Sequence, residues 1–126
     1  MPQLSYSDSW EQTFLCGGSD LGAFLRVKVT SGTLSLAAAT EQAIGYLTAR
    51  GAKANMPATV RKVGAPSQVG IANEAVSIGA ALYAGASGKV TDTKPADGKL
   101  IGIAGSAASA DGDQILILPV DSRDHT

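Results

Sequence analysis

The sequence predicts an all-β fold: a small β-barrel or β-sandwich made of two similar β-units, with an N-terminal arm. Three observations lead there. Fifteen glycines punctuate the 126 residues, a spacing that suits short strands joined by turns rather than long helices. Several stretches carry strand patterning. The chain also says one phrase twice: SGTLSLAAATEQAIGYL (Ser31 to Leu47) and SGKVTDTKPADGKLIGIA (Ser87 to Ala104) both open on Ser-Gly and both reach Ile-Gly followed by an apolar residue.

Pro2 to Gly18 lies outside the repeated phrases and holds the only tryptophan, Trp10, with Tyr6 and Phe14. It reads as a strand or arm folded back on its own domain, or as an arm that binds a neighbour. In AFLRVKVT, Ala23, Leu25, Val27 and Val29 alternate with Phe24, Arg26 and Lys28, the period-two signature of a half-buried strand. LAAATEQAIGYL invites helix through its Ala, Glu and Gln, but Gly45 weakens it. The second copy carries the turn residues Lys94-Pro95 and Asp97-Gly98 there, so a strand end plus loop is expected, with a helical turn at most. Ala58 to Val63 and Gln68 to Ala72 read as short strands. Ile115 to Leu118 is continuously apolar and reads as a strand buried on both faces, ended by Pro119.

The repeat is longer than the phrase. LGAFLRVKVTSGTL matches IGAALYAGASGKV with one residue gained in the first copy, and IGYLTARGAKANMPATVRKV parallels IGIAGSAASADGDQILILPV. Residues 21–63 and 78–120 are therefore expected to trace the same strand order, with Ile44-Gly45 over Ile101-Gly102. Each unit alone is too small to bury its own face. The expected core is Leu25, Val27, Val29, Ile44, Tyr46, Val60, Ile71, Ile78, Leu82, Ile101, Ile103, Ile115 and Ile117. The organisation is an arm over 1–20 and one β domain over 21–126, within the length of a single compact domain.

Composition is globular, with 44% apolar and 17% charged residues. The net charge of −1 gives no bulk drive toward nucleic acid or an acidic membrane. The charge is uneven: Arg26, Lys28, Arg50, Lys53, Arg61 and Lys62 stand against Glu41 alone between residues 21 and 64, and both flanks are acidic. Such a basic middle either complements a patterned partner or is scattered, solvated charge. The single cysteine, Cys16, forms no intrachain disulfide, which fits a reducing cytoplasm. The polar, acidic start shows no signal peptide. The longest uncharged run, the fourteen residues Ala75 to Gly88, is too short and too weakly apolar to span a bilayer.

No constellation for catalysis is visible. His125, the only histidine, is the second-last residue, and Cys16 has no nearby base. No His/Cys pair has zinc spacing. ADGDQ (Ala110 to Gln114) starts like a calcium loop but lacks its third acid and terminal Glu, so it reads as a tight turn. SGKV and DGKL end like a phosphate loop, yet Tyr83 and Thr93 stand where its first glycine belongs, and Val90 and Leu100 replace its Ser/Thr. GGSDLG (Gly17 to Gly22) has the wrong spacing for a dinucleotide fingerprint. Aromatics beside basic residues are too few for single-strand stacking.

Gln68 to Val120 resembles the small capsid cement, or decoration, proteins of tailed double-stranded DNA phages. The matching pieces are Gly70-Ile71, Gly79 to Ala84, Ser87 to Val90, Gly98 to Ala104 and Gly112 to Leu118. The first half matches loosely, and the N-terminal segment shows no family pattern. The resemblance implies a non-enzymatic β protein, β-tulip or jelly-roll-like, without cofactor or metal. It would sit on the outside of a capsid at junctions between major capsid subunits, as a trimer or dimer, and clamp the shell against DNA pressure. It would be made in the bacterial cytoplasm and carried on the virion, touching neither membrane nor nucleic acid directly. Tyr6, Trp10, Phe14 and Leu15, with Arg50, Lys53, Arg61 and Lys62, are the expected partner interface. A virion-surface carbohydrate- or receptor-binding β-module is the alternative, and it needs an exposed aromatic platform for which Tyr46, Tyr83 and Trp10 are the candidates. A small hydrolase is a third class, opposed by the lone terminal histidine.

Overall fold

The computed structural model describes residues 10–96 and 100–119, so Tyr6 and His125 lie outside the described residues. Among the described residues the chain forms ten strands: β1 Glu11–Leu15, β2 Arg26–Thr30, β3 Thr33–Leu36, β4 Gly45–Leu47, β5 Pro57–Lys62, β6 Gln68–Ile71, β7 Ala81–Ala84, β8 Val90–Thr91, β9 Leu100–Ala104 and β10 Gln114–Leu118. Among the described residues helix is limited to one 3₁₀ turn, Ala86–Gly88. LAAATEQA is the end of β3 plus a loop, as expected.

The strands form two five-stranded antiparallel sheets, ordered β1-β5-β4-β2-β3 and β6-β10-β9-β7-β8. The second order is the first with five added to every number, so two like β-units follow one another, as a duplication would leave them. Of the barrel and the sandwich expected, no closed barrel is formed. Each sheet curls until its first and last strands touch at one corner, through parallel bridges at Cys16–Leu34 and Ala72–Val90, without a continuous ladder to seal it. The unit also starts earlier than residue 21. Strand β1, expected outside the repeat, holds the place in the first sheet that β6 holds in the second.

Strand registers pair the two cores residue by residue. Val27 lies opposite Gly45, and Leu82 opposite Gly102. Leu47 lies opposite Val60, and Ala104 opposite Ile117. Phe14 faces Ala58, and Gly70 faces Ile115. The bridge Leu21–Ala52 corresponds to Val76–Ala108. Hence Cys16, Val27, Leu34, Leu47, Ala52, Ala58 and Val60 build one buried cluster, and Ala72, Leu82, Val90, Ala104, Ala108, Ile115 and Ile117 build its counterpart.

The doubled phrase has a steric reason. A Cβ on Gly45 would stand 2.3 Å from the Arg61 carbonyl oxygen, and one on Gly102 would stand 2.4 Å from that of Leu118. Only glycine lets β4 and β9 press so closely on β5 and β10. The preceding isoleucines, Ile44 and Ile101, pack against the two cores. The Ser-Gly pairs are turns: Ser31 and Gly32 have φ of 52° and 84°, Ser87 and Gly88 of 56° and 76°. In the β2–β3 hairpin, two consecutive positive φ values match the twist of the strands.

Several core expectations change. Ile78 is 68% exposed, because the register sets Val76, not Ile78, opposite Leu21 in the repeat. Val29 is 41% exposed toward the hairpin tip, and Leu25, Ile71 and Ile103 are half-buried. The alternation in AFLRVKVT breaks at Phe24, whose φ of 63° starts the strand only at Arg26. β10 is buried on one face alone: Ile115 and Ile117 point inward, and Leu118 is 39% exposed.

Candidate functional site

Two surfaces of the first sheet matter: the face opposite its core, and the β1 edge. Cross-strand partners share a face, so the registers Glu11–Arg61, Arg61–Tyr46 and Tyr46–Arg26 set these four side chains in one row across β1, β5, β4 and β2. This row faces away from Val27 and Val60, and much of it meets the second unit. Tyr46 is 4% exposed and belongs to the second unit's core, although it comes from the first. It lies where Gly70 leaves room, the Gly70 Cβ position being 3.5 Å from the ring. The first unit needs no such filler, because the counterpart of Gly70 is Phe14, which packs on its own core.

The arginines beside Tyr46 tie the seam. Arg61 donates from Nε to the Ser67 carbonyl at 2.8 Å. Arg26, 2% exposed, reaches from Nη2 to the Glu41 carbonyl at 3.2 Å and from Nη1 toward the Gly85 carbonyl at 3.5 Å. Gln68 donates to the Lys62 carbonyl at 2.7 Å, and the Gly88 amide donates to the Ala37 carbonyl at 3.0 Å. Arg26 Nε and Gln68 Oε1 are buried without a partner at the edge of a seam cleft of about 610 Å³, which Tyr83, Lys94 and Ile101 also line. Burial holds the Arg26 guanidinium below its ordinary value, with nearby Tyr46 and Glu41 opposing that. Glu41 is held below the usual carboxylate range, first by its hydrogen bond from Lys28 and then by the Ala38 amide.

Burial pushes the Tyr46 phenol up to about 12, with Arg26 pulling the other way. An unfolded tyrosine ionises near pH 10, so between those values the folded chain keeps a proton that the unfolded chain releases. The stability attached to the neutral phenol is intact below pH 10 and is lost as pH climbs toward 12, about 2–3 kcal/mol in all. Urea unfolding across pH 9 to 12 should show this fall relative to Tyr46→Phe, which lacks it. Parallel curves for the two proteins would place the phenol in water.

The expected interface residues do not form one patch. Trp10 and Leu15 are exposed at opposite ends of the β1 edge, and Phe14 is half-buried between them. Arg50 and Lys53 are exposed on the β4–β5 loop. Arg61 serves the seam, and Lys62 is half-buried, its amide donating to the Trp10 carbonyl at 2.7 Å. Tyr46 is shut in the seam while Trp10 lies on the sheet edge, so the aromatics make no shared platform. Among the described residues no three His, Cys, Asp or Glu side chains gather to hold a metal. Cys16 is buried, its thiol donating to the Ser19 carbonyl at 3.4 Å. The buried Arg26 was not foreseeable from alternation alone. Its signal is a cation alternating with valines in a strand whose outer face meets a second unit.

A family model for phage cement proteins matches residues 22–119, which span nearly all of both units. The chain belongs to the phage cement protein family. Its role is structural, on a phage capsid. The fold is also that of a solved structure, the N base of the head fiber gp8.5 of bacteriophage phi29, with a TM-score of 0.70 at 17% identity. That alignment covers 87% of this chain and 94% of the other. Among curated protein sequences nothing matches. No described helix is long and apolar enough to cross a membrane.

Proposed function

We infer that this cement protein binds the outer surface of the capsid at junctions between major capsid protein subunits, as a homo-oligomer, trimer before dimer, and stabilises the shell. The observation that carries the reading is the family match across both β-units. The geometry supports it: an interlocked pair of sheets is a rigid body suited to hold neighbouring subunits. Arg50 and Lys53 are exposed on one loop and are the side chains proposed to face the shell. Many weak contacts, repeated by symmetry, add up across a shell.

A protein that binds only the mature shell shifts shell stability by mass action. Capsids lacking it should disrupt at lower temperature, and adding the purified protein should restore them. Arg50→Ala with Lys53→Ala should weaken rescue, and the wild-type effect should decline as salt screens the exposed contacts beyond about 8–10 Å. Capsids equally robust with and without the protein would remove the reading.

A further inference from the structure

The seam inside the chain is a template for a contact between chains. In the first sheet the outward row meets the second unit at three places: Tyr46 lies over Gly70 of the edge strand β6, Arg61 reaches the Ser67 carbonyl just before it, and Arg26 reaches toward the Gly85 carbonyl. The registers place Ala81, Ile103 and Leu118 in the matching row of the second sheet. That row is apolar where its counterpart carries two arginines. Its outer residue Leu118 is 39% exposed. The receiving edges differ in the same sense. β6 is buried or half-buried throughout, whereas β1 is exposed at every residue but Phe14.

The two half-sites also complement one another in bulk. Within the chain a large residue, Tyr46, lies over an absent side chain, Gly70. The corresponding pair is a smaller residue, Ile103, and a ring, Phe14. Gln68, whose amide closes the seam on the Lys62 carbonyl, has the identical residue Gln12 as its counterpart, and Gln12 is exposed. The matching acceptor is the Pro119 carbonyl. An apolar sheet face and an edge strand left open at opposite ends of a repeat are surfaces that want covering.

We propose that Ile103 and Leu118 of one copy dock on the β1 edge of a second copy at Gln12, Thr13 and Phe14, repeating between chains the contact that Tyr46 and Arg61 of the first unit make with the second. The contact is heterologous: each copy gives one face and receives another, so successive copies form a ring when the rotation between them closes. The proposal deepens the cement reading by naming the copy-to-copy surface. It leaves Arg50 and Lys53 for the shell, so ring formation and capsid rescue fail separately.

The test uses the intact chain and two variants, Leu118→Asp on the giving face and Thr13→Arg on the receiving edge. Both positions are exposed, so neither substitution touches a core. Thermal unfolding of each confirms the fold, and Leu118→Lys and Gln12→Arg serve as second variants if either fails to fold. Light scattering should give a closed oligomer for the wild type and a single chain mass for each variant alone. An equimolar mixture of the two variants should give a dimer, because each retains the face the other lacks, and no species larger than that. A monomeric wild type would overturn the proposal. So would an oligomer that survives both variants, or two monomeric variants whose mixture stays monomeric.

Discussion

Tyr46→Ala should lower the free energy of unfolding by about 3–5 kcal/mol, the range for deleting a buried aromatic side chain. The size follows from where the ring lies. It is 4% exposed and sits among Ala72, Val76, Leu82 and Ile117, so its loss opens a cavity in the second unit rather than in its own. Gly70 beneath it has no side chain to relax into the gap. Tyr46→Ile copies the counterpart residue Ile103 and should cost less than Tyr46→Ala, since part of the volume is kept. Urea titration monitored by circular dichroism measures both. A cost below about 1 kcal/mol for Tyr46→Ala would mean that the two units do not share a core, and two separate transitions would then be expected.

Much of the fold is legible because glycine and serine declare it locally. Ser31-Gly32 and Ser87-Gly88 mark turns through their own backbone preferences. The Ile-Gly pairs mark a place where one strand crowds another. The strand order follows once the repeat is seen. What local pattern cannot show is which face a second unit covers. Arg26 alternates with Val27 and so reads as an outward, solvated cation, yet its outward face is the seam. The same blindness hides Tyr46, whose periodicity assigns it a face but not another unit's core. The repeat's phase is equally hard to read. Leu21 and Ile78 look alike in sequence, but bridging to Ala52 and Ala108 pairs Leu21 with Val76. Strand β1 was missed as a repeat member because EQTFL and QVGI share almost no side chains. They share one glutamine, Gln12 with Gln68, and a position beside β5 and β10. Of the proposed interface residues, the sequence marks Arg50 and Lys53 by charge, but it cannot separate them from Arg61, which the seam takes.

Gly102→Ala and Gly45→Ala should each destabilise by about 3 kcal/mol or more, at or beyond the upper end for overpacking a core. The added carbon has nowhere to go. At Gly102 it would sit 2.4 Å from the Leu118 carbonyl oxygen and 2.7 Å from Ile117 Cγ2. At Gly45 it would sit 2.3 Å from the Arg61 carbonyl oxygen and 2.6 Å from Val60 Cγ1. The nearest atom at each place is backbone of a paired strand, which cannot swing aside as a side-chain end can. Relief requires the strand pair to part, and that breaks ladder hydrogen bonds on the inner strands of a five-stranded sheet. The two variants should behave alike, since the two sites are the same site in two copies, and Val at either position should abolish folding. Gly18→Ala is the control: nothing lies within 4 Å of its Cβ position and its backbone is not left-handed, so its cost should be within about 0.5 kcal/mol of zero. Thermal midpoints of the three Ala variants side by side decide the matter. If Gly45→Ala and Gly102→Ala melt with Gly18→Ala, the close approach is not what keeps glycine after isoleucine in both halves. If only one of the two falls, the halves share a strand order but not a packing.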